Sequence, residues 1–193
     1  MERIVLTMVY DKEIKGMFVT LRSITLEDVE FSYAIRSQPK NRDTVGQLAP
    51  SLEAQKEFIM WQINQPDDYY FVVHNNQGER IGLIGLYDIH DGVGEVGRVV
   101  NNGTPEESME AELLNFKFAF ETLCLKKCTY VIYSHNRKHI AQQMQLGITP
   151  SKTVTRNGTK CAYFEIFCDD EKVIHRQKKI EKLLSRVFEM KRI

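Results

Sequence analysis

The sequence predicts an α+β fold: one domain with a mixed, mostly antiparallel central sheet covered by helices, closed by a C-terminal amphipathic helix. Three observations carry that prediction. Strand and helix patterns alternate along the chain in the order β-α-α-β-β-β-α-β-α-β. The middle strands are joined by turns of a few residues, which suit antiparallel neighbours and are too short for parallel ones. A chain of 193 residues, 42% hydrophobic and 27% charged, has the size and composition of a single globular core.

Taken in order, residues 18–24 (FVTLRSI) alternate and are rich in β-branched side chains, which predicts a strand. Thr25 then serves as N-cap, with Glu27 and Asp28 in the first turn of a helix reaching about Arg36. A polar, proline-containing loop covers residues 37–50, and Ser51 caps a second helix with Leu52, Phe58, Ile59 and Ile63 on its apolar face. Strands follow at 69–74, 80–89 and 95–100, joined by Asn75-Asn76-Gln77-Gly78 and by a glycine-rich turn. Thr104-Pro105-Glu106-Glu107 reads as a capping box: Thr at N-cap, Pro at N1 and Glu at N3 of a long helix ending near Leu123. Residues 127–134 form a further strand, 139–146 a short helix ended by Gly147, and 162–168 a last strand preceded by the turn Asn157-Gly158. The expected division is an extension at 1–16, the domain at 17–168 and the tail helix at 169–193.

Charge and cysteine usage exclude several classes. Lys and Arg number 26 and Asp and Glu 26, so the net charge is +0, which argues against a general nucleic-acid binder. No apolar run reaches the roughly 18 residues of a membrane span, and the charged start MERIVLTMVYDKEIKG has no secretory core. The expected location is the cytoplasm. Cys124, Cys128, Cys161 and Cys168 are too scattered for a disulfide scaffold and have no zinc-ligand spacing, so no metal is expected. Residues 171–193 carry eight Lys/Arg against three Glu, with Val173, Ile180, Leu183, Leu184, Val187 and Phe188 on one stripe. That helix packs on the domain or on a twin subunit, a homodimer; the alternative is an RNA- or anion-binding helix.

Five segments together resemble the GCN5-related N-acetyltransferase (GNAT) superfamily: VTLRSITLEDVEF, ERIGLIGLYDI, GEVGRVV, MEAELLNFKFAFETL and YVIYSHNRKHIAQQMQLGI. Their order and spacing are most similar to ribosomal-protein alanine acetyltransferases and to acetyltransferases of nucleotide-linked amino sugars. The resemblance covers residues 17–168 and implies a GNAT-like domain that holds acetyl-CoA between two splayed central strands, here 95–100 and 127–134.

The resemblance also implies roles for particular residues. The backbone of 96–100, with Val99 and Val100 at its end, would hold pantetheine like an added strand. Thr104, Pro105, Glu106, Glu107 and Ser108 stand where the family's glycine-rich loop cradles a diphosphate, but without the glycines. Asn136 matches an Asn that bonds the pantetheine arm, and Arg137 and His139 stand beside it. Acetyl transfer needs a base for the amine and a proton for the departing thiolate. Glu95 is the first candidate base and His90 the second; Tyr133 and His139 are candidate acids, because the helix HIAQQMQLG lacks the family's Tyr. Arg36, Trp61 and Arg98 are candidate acceptor contacts, Arg98 alternatively pairing with a structural carboxylate. The implied acceptor is a small-molecule primary amine, with a protein N-terminus or a non-catalytic domain of the same fold as alternatives.

Overall fold

The computed structural model describes residues 9–42 and 46–191. Residues 1–8 of the expected extension, 43–45 of the loop and 192–193 of the tail therefore lie outside the described residues. β1 (Ile14–Lys15) and β2 (Val19–Ser23) lead through a 3-10 turn (Leu26–Asp28) into α1 (Val29–Ser37), α2 (Pro39–Arg42) and α3 (Leu52–Gln62). β3 (Tyr69–Asn75), β4 (Arg80–His90) and β5 (Val93–Asn101) form the meander. α4 (Pro105–Lys117) widens into a π turn at Phe118–Thr122 before β6 (Lys127–Tyr133) and α5 (Arg137–Gln145). β7 (Lys152–Arg156), β8 (Thr159–Phe167) and α6 (Glu171–Met190) complete the chain. The fold class is the expected one. Three elements were not foreseen: β1 inside the extension, α2 inside the loop, and the edge strand β7.

The strands form one sheet in the order β1-β2-β3-β4-β5-β6-β8-β7. Every neighbouring pair is antiparallel except β5 and β6. Side-chain alternation along each strand divides the core between two faces. On one, Leu21, Phe71, Leu86 and Phe164 pack with α4 and α6. On the other, Ile24, Val72, Leu83 and Val100 pack with Ile35 of α1 and Ile59 of α3.

Local chemistry fixes where the helices begin. Thr25 and Ser51 stand at helix starts and Thr104 and Glu107 form a capping box, as the sequence predicts, with Ser51 Oγ accepting from Ala54 N. That Thr25 also forms a box, its N–H donating to Asp28 Oδ2, was not foreseen. A buried carboxylate joins sheet to helix: Glu110 of α4 accepts from the backbone N–H groups of Met17, Phe18 and Val19 at 2.6–2.9 Å. The tail helix α6 packs on its own domain. Val173, Ile180 and Leu184 are buried against it, while Leu183 is exposed.

Candidate active site

β5 and β6 start as a parallel pair and then part. Only Val93, Gly94 and Glu95 face partners on β6, namely Lys127, Cys128 and Thr129. The cause lies on the other edge of β5, where Gly97, Arg98, Val99 and Val100 face only Gly85, Ile84 and Leu83 of β4. The extra residue is Arg98, at φ +53°, a left-handed conformation unusual outside glycine. A bulge of this kind bends its strand and ends pairing. Past Glu95 the β6-facing backbone of β5 is left without a strand partner.

The parted strands open a cavity of about 690 Å3 that passes through the sheet. Its wall includes Arg36, Phe58, Tyr87 and Arg98 from the α1/α3 side, and Ser108, Glu112, Tyr130, His139 and Gln143 from the α4/α6 side. A ligand entering from one face can thus meet a second ligand on the other without crossing solvent.

On the α1/α3 side, Glu95 lines the cavity as expected, but its carboxylate is fully engaged. Arg156 of β7 grips both oxygens, with Nη2 to Oε2 at 2.8 Å, and the Tyr87 hydroxyl donates to Oε1 at 2.7 Å. Burial works to raise its pKa, yet Arg156 and Tyr87 outweigh burial and hold it below the ordinary glutamate value. Such a carboxylate is a poor proton acceptor, which counts against Glu95 as a direct base. Gly97 permits the arrangement, since a Cβ there would collide with the Tyr87 hydroxyl.

Arg98 also lines the cavity, but its guanidinium is paired bidentately with Asp68 at 2.5 and 2.8 Å and lies 4.1 Å over the Tyr87 ring. Of its two expected roles, the structural pairing is the one present. Arg36 is different: it lines the cavity, donates to the Gln47 carbonyl at 3.0 Å, and has no carboxylate partner among the described residues. Tyr133 lines the cavity and stacks on His135 at 5.4 Å between ring centroids.

Two of the catalytic and acceptor candidates fall outside the wall. His90 sits exposed at the β4–β5 turn with Nδ1 against the Asp88 carbonyl, because the hairpin carries it beyond the sheet. Trp61 is on the outer side of α3, half exposed and tilted on Phe58 at 5.9 Å, so it is not part of the cavity wall.

On the α4/α6 side, Val99, Val100, Ser108, Asn136 and His139 line the cavity. Val100 offers only backbone, its side chain being in the core. Thr104, Pro105, Glu106, Glu107 and Arg137 lie outside the wall. The α4 turn is a poor diphosphate cradle, because its own side chains engage the amides. Asn101 Oδ1 takes the Gly103 N–H, Glu107 takes that of Thr104, and Thr104 takes that of Glu107. Glu106 turns toward Lys191 of the C-terminal segment at 3.6 Å. Asn136 caps α5 through Oδ1 to His139 N. Among the described residues no three or more His, Cys, Asp or Glu side chains converge as metal ligands.

Residues 19–149 match the acetyltransferase (GNAT) domain family. The chain belongs to that family. No protein of curated function matches it in sequence. A GCN5-related N-acetyltransferase from Brucella melitensis is similar in structure, with a TM-score of 0.75 and 15% identity over 91% of this chain and 86% of that one. FdhC, a nucleotide-linked sugar GNAT, has a TM-score of 0.71 and 19% identity, covering 92% of this chain and 98% of its own. A spermidine N-acetyltransferase SpeG chimera from Vibrio cholerae and hSSAT gives 0.66 and 19% over 84% and 97%. At such identities the likeness concerns the fold. The family generally uses acetyl-CoA, and the unpaired backbone of β5 with Asn136 opposite fits a pantetheine arm better than the α4 turn fits its diphosphate.

Sequence reasoning missed Arg156 and Arg176. Arg156 belongs to a strand that was not foreseen. Arg176 left a signal: it falls between Val173 and Ile180 on the apolar stripe of α6.

Proposed function

We propose that this GNAT protein transfers an acetyl group from acetyl-CoA to a primary amine of a small anionic molecule, a nucleotide-linked amino sugar being the class that suits it best. The through-sheet cavity carries the reading, because it lets a thioester and an amine meet from opposite faces. The β5 backbone and Asn136 would hold the pantetheine arm, the bound cofactor supplying the activated acetyl group. The amine nitrogen forms a bond to the carbonyl carbon and the C–S bond breaks. Tyr133 is the proton donor on hand for the leaving sulfur, and water near Glu95 takes the proton of the amine. Arg137, outside the wall, and the Thr104–Ser108 turn are not needed for the pantetheine contact.

The sign of the acceptor side favours an anion. Three guanidiniums (Arg36, Arg98, Arg156) meet two carboxylates (Asp68, Glu95), which leaves Arg36 to pair with phosphate or carboxylate of the acceptor. A polyamine or the amino end of a basic protein tail would enter against that charge. The proposed setting is cytoplasmic, consistent with the absence of any described helix long and apolar enough to cross a membrane.

The test pairs a binding and a turnover measurement. Acetyl-CoA at a hundred times its Kd adds about 2.7 kcal/mol of stability and raises Tm. Thiol release is then followed with nucleotide-linked amino sugars, spermidine and alanine-ended peptides. Turnover with the sugar nucleotides, lost in Arg36→Ala, is expected. No Tm shift at millimolar acetyl-CoA refutes the enzyme reading, and preference for spermidine refutes the anionic acceptor.

A further inference from the structure

The C-terminal helix buries one arginine directly behind the α4/α6-side wall of the cavity, against Gln143 and Glu112, which do line it. Arg176 of α6 is buried, although it sits on the most basic element of the chain. Its Nη2 donates to Gln143 Oε1 of α5 at 2.9 Å and to Glu112 Oε1 of α4 at 3.1 Å. Gln143 is itself only 1% exposed, and all four hydrogen-bonding capacities of its amide are used. The Tyr130 hydroxyl donates to Oε1 at 3.1 Å, while Nε2 meets Glu112 Oε1 at 3.1 Å and His139 Nε2 at 3.2 Å.

This arrangement fixes two choices that geometry alone leaves open. A guanidinium only donates, so the amide atom facing Arg176 is the oxygen, and the amide cannot be turned over. Its NH2 group therefore faces the imidazole and donates. His139 Nε2 must accept, which puts the ring's proton on Nδ1. His139 lines the cavity, and its Nδ1–H has no acceptor among the described residues. Glu112, Tyr130 and Gln143 line the same wall.

We propose that Arg176 is a positioning residue which, through Gln143, holds His139 as the Nδ1–H tautomer so that it donates a hydrogen bond to an oxygen of the cofactor's pantetheine arm. The proposal rests on the acetyl-CoA reading above. The family match ends at residue 149, so this contribution comes from a helix outside the matched segment. It also places a donor in the first turn of α5, where the α4 turn has its own amides engaged.

The test has a part that needs no cofactor. Imidazole 15N NMR of the free protein is expected to show His139 protonated on Nδ1, and Arg176→Met to mix the tautomers, with Arg176→Lys restoring the signal. In calorimetry, Arg176→Met and His139→Leu each weaken acetyl-CoA binding by about fivefold, the scale of one hydrogen bond. The double variant is no weaker than His139→Leu alone. His139→Asn, whose side-chain N–H stands in for Nδ1–H, binds like the wild type. Should Arg176→Met not fold, the Asn and Leu variants still decide: equal weakening in both overturns the donor role. An unchanged tautomer in Arg176→Met, or additive losses in the double variant, overturns the positioning role. If the wild type binds no acetyl-CoA, the proposed function and the donor role fall together, and the NMR result judges Arg176 by itself.

Discussion

Glu95 accepts hydrogen bonds from Arg156 and Tyr87 at once, and its pKa lies below the ordinary glutamate value. It is ionised throughout the neutral range, and both of its oxygens are already engaged by donors. A direct general base contributes about 10²–10⁴-fold. Glu95→Gln is therefore expected to lower kcat by less than about tenfold, and to leave the shape of the rate profile between pH 6 and pH 9 as it is in the wild type, since Glu95 does not titrate there. A loss above a hundredfold with unchanged acetyl-CoA affinity, seen in steady-state and titration data, would restore it as the base. The position of Glu95 in the site was legible, because it follows from the resemblance and the strand register. Its partner was not: Arg156 is 61 residues away on an edge strand, and nothing near Glu95 in sequence announces a cation.

At the scale of elements, what the sequence made readable is local. The box at Thr104 needs only Thr, Pro and Glu at fixed spacing, and the fold realises it, with Thr104 N donating to Glu107 Oε2 at 2.7 Å. Thr104→Ala and Glu107→Ala are each expected to cost about 1 kcal/mol in urea unfolding. Glu107→Ala is also expected to bind acetyl-CoA as tightly as the wild type or slightly better, because it frees the Thr104 N–H and removes a negative charge. A tenfold weakening would mean that these acids help build the site. β7 was missed for the opposite reason. Lys152–Arg156 is short, exposed on most positions, and defined only by its register on β8. The parting of β5 from β6 was expected from the resemblance, whereas its local cause, left-handed Arg98, carries no turn residue to mark it.

At the scale of the whole molecule, stability against acid follows from one buried carboxylate that joins three elements. Asp28, 1% exposed at the start of α1, pairs with Arg22 of β2 at 2.9 Å and Arg80 of β4 at 3.3 Å, and accepts from Thr25 N. Burial would raise its pKa, but Arg22 and Thr25 prevail and hold it below the ordinary 3.8. A carboxyl whose folded pKa is depressed stabilises the fold fully above its unfolded pKa. That contribution disappears as pH falls through the lower, folded value. Asp28→Asn leaves the guanidiniums of Arg22 and Arg80 without their carboxylate; both are still reached by water, so the expected cost at pH 7 is about 2 kcal/mol. Urea unfolding at pH 7, 4 and 2.5 is expected to show the gap between wild type and Asp28→Asn narrowing toward the acid end, because each proton that Asp28 takes up removes the charge that the amide lacks at every pH. A gap of constant size across the three samples would mean that the three elements are held by the shape and hydrogen bonds of the cluster, with its charge contributing nothing.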